Sequence, residues 1–303
     1  MFMVWCCSLL PGYFTPLESA ALARFRDFFV AALTVRRLLG ILKGEFADFF
    51  TISEPATKPP SGILVLDRPV TTEEKAQYVR AMFDDIAPRY DLLNSVLSAG
   101  VHRGWRPFAT RCASLSAGDR VLDVCSGTGD WAVLLRRAVG PTGFVAAADF
   151  SLPMLRHGAE RFDSSGVGAV QGDASRLPFA DHSFDAATVA FGIRNVADRD
   201  KGFAEMARVV RPGGRVVCLE FSQPPPGPFR TAYELHSRYV MPAVGGTVSG
   251  RPDAYTYLPA SVALFDTRQQ LADRMRGVGL TEVRWVDLTF GLVCVHVGVK
   301  PLS

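Results

Sequence analysis

The chain has 303 residues, of which 48% are hydrophobic, a size that fits one catalytic domain with an appendage. Its 33 basic and 30 acidic residues leave a net charge of +3, too balanced for a nucleic-acid-binding protein, in which basic residues dominate and cluster. The six cysteines form no CxxC pair and have no histidine at metal-ligand spacing. We therefore expect a reducing compartment, no metal and no nucleic-acid partner.

The first 70 residues differ in composition from the rest of the chain. Residues 1–52 are apolar and aromatic with interspersed arginines, but no apolar run reaches the roughly 20 residues of a spanning helix. Residues 53–62 contain prolines and small polar residues that cannot build a core, and we expect a linker over residues 53–70. We expect residues 1–52 to be an N-terminal extension: a leader, a membrane-surface anchor or the product of a misassigned start codon.

From residue 71 to residue 303 the pattern is that of a folded domain. A first helix has its apolar face at Val79, Met82, Phe83 and Ile86, and Pro88 ends it. Short apolar runs then predict strands at residues 120–125, 143–150, 168–173, 184–192 and 214–221. The helices predicted between them include residues 131–138 and 203–210. This alternation predicts an α/β fold with a Rossmann-like, doubly wound, mostly parallel sheet covered on both faces.

The C-terminal pattern is different. Leu271, Met275 and Val278 mark a helix, and two apolar runs follow that are joined at residues 289–291. Two strands with so short a connection predict an antiparallel hairpin at the end of the domain.

A glycine-rich turn, CSGTGD at residues 125–130, connects the first strand to the next helix. Gly127 and Gly129 permit a tight turn and close approach of a ligand to the backbone. A dinucleotide site would need a third glycine, but Ala132 and its neighbours occupy that region. Asp123 and Asp130 would repel a pyrophosphate, whereas they suit a ligand that carries sulfonium and ammonium groups.

Two more aspartates end the next strands. A carboxylate at the position of Asp149 can accept hydrogen bonds from both hydroxyls of a ribose. Asp173 could accept one from an adenine amino group. Each aspartate taken singly is more often a strand cap or a turn residue, but carboxylates at successive strand ends favour a nucleoside-containing ligand.

Several segments resemble the motif series of class I S-adenosylmethionine-dependent methyltransferases. They are LDVCSGTGD (122–130), ADFS (148–151), GDA (172–174), LPF (177–179) and SFD (183–185). YDLLN (90–94) with the residues up to Trp105, RVVRPGG (208–214) with EFS (220–222), and FGIRNV (191–196) resemble the menaquinone/ubiquinone C-methyltransferase family. The resemblance covers residues 74–300. Leu93 stands where the family usually has methionine, and Ala190 stands where a small hydroxyl residue often lines the cofactor site.

The resemblance implies a seven-stranded sheet and S-adenosylmethionine as cofactor. It implies cofactor contacts at Asp123, Gly127, Thr128, Gly129, Asp149, Phe150, Asp173, Ala174 and Ala190. The implied reaction is methylation of a ring carbon of a prenylated quinol. Residues 123–131 and 216–224 look closer to the bacterial menaquinone branch, so we expect demethylmenaquinol to be converted to menaquinol. The benzoquinol of the ubiquinone pathway and another small-molecule acceptor stay open as alternatives, as do a non-catalytic scaffold and a nicotinamide oxidoreductase.

The resemblance also implies roles near the reacting hydroxyl. It places Arg194 and Asn195 there. Arg194 could stabilise a phenolate, but arginine in general has so high a pKa that it is an implausible base. His102 is the better candidate for the base, or else a structural histidine. Tyr90 and Trp105 are expected either to wall the pocket or to be core aromatics. The resemblance implies a cytoplasmic protein that associates peripherally with the inner face of a membrane, or a protein of the mitochondrial matrix if residues 1–52 are a transit peptide. A homo-oligomer stays open.

Overall fold

A computed structural model describes residues 72–87, 102–237 and 261–302. Its α-helices are α1 (Thr72–Ile86), α2 (His102–Ala113), α3 (Asp130–Val139), α4 (Leu152–Ser165), α5 (Arg199–Val209), α6 (Pro228–Leu235) and α7 (Arg268–Gly277). Its strands are β1 (Arg120–Val124), β2 (Phe144–Asp149), β3 (Gly168–Gln171), β4 (Phe184–Ala190), β5 (Val210–Phe221), β6 (Thr281–Leu288) and β7 (Val293–Val299). The predicted extension at residues 1–52 and the predicted linker lie outside the described residues.

The strands form one seven-stranded sheet in the order β3-β2-β1-β4-β5-β7-β6. Strands β1 to β5 pair in parallel, while β7 pairs antiparallel with both β5 and β6. The predicted α/β class, the mostly parallel sheet and the C-terminal antiparallel hairpin are therefore confirmed. The chain runs outward from β1 to β2 and β3, then returns to β4 on the other side of β1. In doubly wound sheets, ligands bind at the carboxyl ends of the strands beside such a reversal.

Helices cover both faces of this sheet, and alternate residues of each strand point to opposite faces. On β2, Val145 and Ala147 belong to a core that also contains residues of α2, α3 and α4, among them Trp131 and Phe162. Ala146 and Ala148 belong to the core on the opposite side, which contains residues of α5 and α7. Because the sheet is buried on both faces, each strand appears in the sequence as a short continuous apolar run.

The helices beside the carboxyl edge have well-defined ends. Ser151 caps α4 by accepting a hydrogen bond from the backbone N–H of Met154 at 3.3 Å, and Gly166 closes that helix in the left-handed conformation. In α3, Asp130 lies in the first turn and two arginines lie in the last, as the helix dipole favours. The cap at Ser151 therefore fixes the start of α4 next to the end of β2.

The boundary between α5 and β5 differs from the prediction. The helix predicted to reach residue 210 ends at Val209, and β5 begins at Val210, before the expected start at residue 214. Val210 pairs with Phe184 of β4, so a tertiary contact decides its conformation. In the three described ranges, no helix combines the length and the apolar character needed to cross a membrane.

Candidate active site

A cavity of about 300 Å³ opens at the carboxyl ends of β1, β2 and β4. The glycine-rich turn after β1 and the loops after β2, β3 and β4 form its floor and sides, and α1 forms its cover. Its walls include several of the sequence-predicted residues: Gly127, Asp149, Phe150, Asp173, Ala174, Ala190 and Asn195. Most of the predicted cofactor-binding residues therefore line a cavity at the point where the strand order reverses.

Asp149 connects two of these loops. Its carboxylate accepts hydrogen bonds from the backbone N–H groups of Gly127 and Ser151, each at 2.8 Å. The side chain is buried, and this burial raises its pKa to about 6. The glycine-rich turn is therefore held against the end of β2 by a carboxylate that also faces the cavity.

Asp123 lies one layer behind the cavity wall. Its two oxygens accept hydrogen bonds from the hydroxyls of Ser126 and Thr188, each at 2.9 Å. Burial raises the pKa of Asp123 to about 6, and the positive charge of Arg106 opposes this rise. At neutral pH the turn is therefore backed by two buried negative charges, those of Asp123 and Asp149.

The two glycines of the turn have different reasons to be glycine. Gly127 has a φ of +59°, and a Cβ there would lie 3.2 Å from the methyl group of Met154. Gly129 has a φ of +88°, and its Cβ would lie 2.2 Å from the ring of Phe162. Gly127 thus keeps the cavity wall bare, whereas Gly129 allows α4 to pack against the start of α3.

Helix α1 is tied to the same edge of the sheet. The guanidinium of Arg80 donates a 3.3 Å hydrogen bond to the carbonyl of Phe150 and lies 5.4 Å from the centre of its ring. The hydroxyl of Ser151 hydrogen-bonds to the carboxylate of Asp84. Because Ser151 also donates its N–H to Asp149, a chain of hydrogen bonds connects α1 with the floor of the cavity.

Arg194 and Glu220 form a buried ion pair beside the cavity. Arg194 Nη1 lies 2.7 Å from a carboxylate oxygen of Glu220 and 2.6 Å from the carbonyl oxygen of Phe191. The side chains are 8% and 1% exposed, respectively. Among the residues that the structure describes, Arg194 Nε has no hydrogen-bond partner. Two aspartates near Arg194 in the sequence are engaged elsewhere, because Asp198 caps α5 and Asp185 pairs with Arg211.

An aromatic cluster lies beside this ion pair, and one of its rings, that of Trp105, belongs to α2. The rings of Trp105, Phe191 and Phe221 lie with their centres 4.8 to 6.1 Å apart. Trp105 is buried, and its indole N–H donates to the hydroxyl of Thr289 at 2.8 Å. Trp105 is thus a core aromatic in contact with Phe191, which lines the cavity.

The remaining predicted residues lie at different distances from the cavity. Thr128 is buried, and its carbonyl and hydroxyl oxygens accept hydrogen bonds from Arg161 of α4. Arg194 adjoins Asn195 but contributes no atom to the cavity wall. His102 is the first residue of α2, and its side chain lies outside the described part of the chain, as does the whole of Tyr90. The roles of all these residues stay predictions.

Other residues of the cavity wall were not predicted from the sequence as site residues. They are chiefly Gln77, Arg80 and Phe83 on α1, with Cys125, Phe191 and Gly192. The apolar face of α1 was a usable signal, since it includes Phe83, but periodicity alone does not say what an amphipathic helix covers. Across the described ranges, no group of three or more potential metal ligands comes together.

Comparisons with known proteins give a consistent result. The signature of the ubiE/COQ5 methyltransferase family matches residues 71–300. The ubiquinone/menaquinone biosynthesis C-methyltransferase UbiE of Pseudomonas putida is 41% identical over 236 residues, which are 77% of this chain and 92% of that protein. The protein of the same name from Saccharophagus degradans is 38% identical over 236 residues, 77% of this chain and 95% of its own.

Solved structures share the fold at low sequence identity. The [4+2]-cyclase SpnF superimposes with a TM-score of 0.58 at 18% identity, over 75% of this chain and 97% of its own. A SAM-dependent methyltransferase from Thermotoga maritima superimposes with a TM-score of 0.52 at 20% identity, over 73% and 99%. These similarities establish the class I methyltransferase architecture.

Proposed function

Because the chain belongs to the ubiE/COQ5 methyltransferase family, we propose that it methylates a ring carbon of a prenylated quinol and converts demethylmenaquinol to menaquinol. S-adenosylmethionine is its cofactor, and when bound it supplies an electrophilic methyl group on a sulfonium. One observation carries the proposal for the quinol: relatives named for C-methylation in ubiquinone and menaquinone biosynthesis match over 92% and 95% of their own lengths.

The residues of the cavity fit this cofactor. Gly127 lines the cavity without a side chain, which allows the cofactor to approach the backbone closely. Asp149 and Asp173 offer carboxylate acceptors along the wall for ribose hydroxyls and an adenine amino group. Asp123, buried behind the turn, provides the negative charge that a cationic ligand needs.

The chain must also activate the acceptor. A phenolate places electron density on its ortho carbon, so a group that stabilises the phenolate favours attack on the methyl group. The guanidinium of Arg194 is held in place by Glu220, and its buried Nε has no partner among the described residues, so we propose that its positive charge acts on the phenolate from behind the cavity wall. Asn195 is next in sequence and lines the cavity. We assign phenolate stabilisation to Arg194 and leave the base to His102.

The choice between acceptors rests on short segments. Residues 123–131 and 216–224 resemble the menaquinone branch, which favours a naphthoquinol. The ubiquinone-pathway benzoquinol is the second candidate, because the names of the relatives include both quinones. Since a prenylated quinol resides in the bilayer, the proposal also includes peripheral contact at the cytoplasmic face of a membrane.

The decisive experiment is a methyl-transfer assay with labelled S-adenosylmethionine. Demethylmenaquinol, the demethylated ubiquinol precursor and an unprenylated phenol are tested side by side in detergent. We expect the highest kcat/KM for demethylmenaquinol and little transfer to the phenol. A variant that lacks the Asp149 carboxylate, Asp149→Ala, is the negative control. A clear preference for the benzoquinol, or equal turnover of the phenol, would contradict the proposed acceptor.

A further inference from the structure

Arg106 is a buried cation beside the glycine-rich turn. No anion within hydrogen-bonding distance of its guanidinium is found among the described residues. It lies on α2 and is 9% exposed. Its guanidinium carbon lies 5.6 Å from the centre of the Phe191 ring, which lines the cavity. Its charge also acts on Asp123, which is buried behind the same turn. These contacts place the guanidinium next to the wall formed by the turn and Phe191.

The hydrogen-bonding capacity of Arg106 is incompletely used. Within the described ranges, its Nε is buried without a hydrogen-bond partner. The nearest carboxylate in an ion pair, that of Asp130, is 3.9 Å from Nη1, which is too long for a hydrogen bond. Asp130 is instead bound at 2.9 Å by Arg161. A buried guanidinium with an unused donor is costly unless an anion completes its environment.

The charges around the cavity indicate which anion is needed. The amino-acid end of S-adenosylmethionine carries an ammonium and a carboxylate. The aspartates near the turn suit the ammonium, but they repel the carboxylate unless a cation lies close by. Of the cavity-lining residues that the structure describes, only Arg80 is basic, and it is bound to Phe150 at the ribose side. Arg106 is the buried cation at the turn.

We infer that Arg106 binds the carboxylate of the amino-acid end of S-adenosylmethionine. The guanidinium suits this role because its planar fork matches a carboxylate, and it lies over the Phe191 ring at the cavity wall. The assignment depends on the cofactor and not on the proposed quinol. The competing explanation is that Arg106 only neutralises Asp123 and Asp130.

The test compares two ligands that differ in this one group. S-adenosylhomocysteine and its decarboxylated analogue, which keeps the ammonium, are titrated by calorimetry into wild type, Arg106→Met and Arg106→Lys. The wild type should bind S-adenosylhomocysteine about 10- to 100-fold more tightly, the range of one charged hydrogen-bonded pair. Arg106→Met should lose that preference while its affinity for the analogue changes by less than about twofold, and Arg106→Lys should keep part of it. Arg103→Met, an exposed arginine on the same helix, is the matched control and should behave as wild type.

Two results would overturn the assignment. One is a wild type that binds both ligands equally, which needs no variant and is therefore independent of folding. The other is an Arg106→Met variant that loses affinity for both ligands by the same factor, which would show that Arg106 acts only on the aspartates. No acceptor is present, so a failure of the demethylmenaquinol assay leaves this measurement unaffected.

Discussion

Substitutions in the Arg194–Glu220 pair can separate its structural role from its catalytic one. Glu220 accepts hydrogen bonds from Arg194 Nη1 at 2.7 Å and from the backbone N–H of Phe221 at 2.8 Å. Arg194→Met leaves this carboxylate buried without its counter-charge. Glu220→Gln leaves the guanidinium buried beside a neutral partner. The double variant removes both charges and keeps a similar side-chain volume.

The burial of both partners sets the magnitude. Removing one partner of a buried ion pair costs about 3–5 kcal/mol, a large part of a typical unfolding free energy of about 5–15 kcal/mol. At about 2–4 °C per kcal/mol for a domain of this size, we expect Arg194→Met to lower Tm by about 6–20 °C. The double variant should recover most of this loss, because two neutral side chains leave no uncompensated charge.

Unfolding in urea, cofactor affinity and kcat are measured on one preparation of each variant. If Arg194 stabilises the phenolate, the double variant should regain stability and cofactor affinity, yet kcat should stay about 100-fold lower than in Glu220→Gln. Recovery of kcat together with stability would show that the pair is structural and would refute the catalytic assignment. A double variant no more stable than Arg194→Met would refute the electrostatic argument itself.

Three further outcomes are expected. Burial raises the pKa of Asp123 and of Asp149 to about 6, so lowering the pH from 7 to 5 should protonate both and weaken binding of the cationic cofactor; calorimetry should show this, and a flat profile would contradict it. Gly129→Ala should lower the free energy of unfolding in urea by about 1–3 kcal/mol more than the control Gly140→Ala does. Both glycines have positive φ at the ends of α3, but only at Gly129 would a Cβ overlap an aromatic ring. Equal losses in the two variants would contradict this overlap. Deleting residues 1–52 should leave turnover of detergent-solubilised substrate near that of the full chain; a collapse in soluble yield would instead assign those residues to the core.

The amino-acid sequence by itself determined the types and order of the elements and the edge of the sheet that carries the site. Periods of two and of 3.6 residues are local properties of a chain, so strands and helices could be read from them. Parallel strands all end at one edge, so carboxylates that follow strands must gather there. For this reason the positions of Asp149 and Asp173 at a common cavity could be predicted from their places at the end of β2 and after β3.

The tertiary structure alone decided which distant groups meet. The hairpin of β6 and β7 could be predicted from the sequence, but not which of the two strands pairs with β5. That strand is β7, which is almost wholly buried, whereas β6 at the edge of the sheet is largely exposed. The partner of Arg194 proved to be Glu220, which lies 26 residues away at the end of a neighbouring strand, rather than an aspartate closer in sequence. Likewise, only the packing of α2 brings Arg106 beside Phe191. Such meetings follow from the order and register of the strands, which no local pattern of residues encodes.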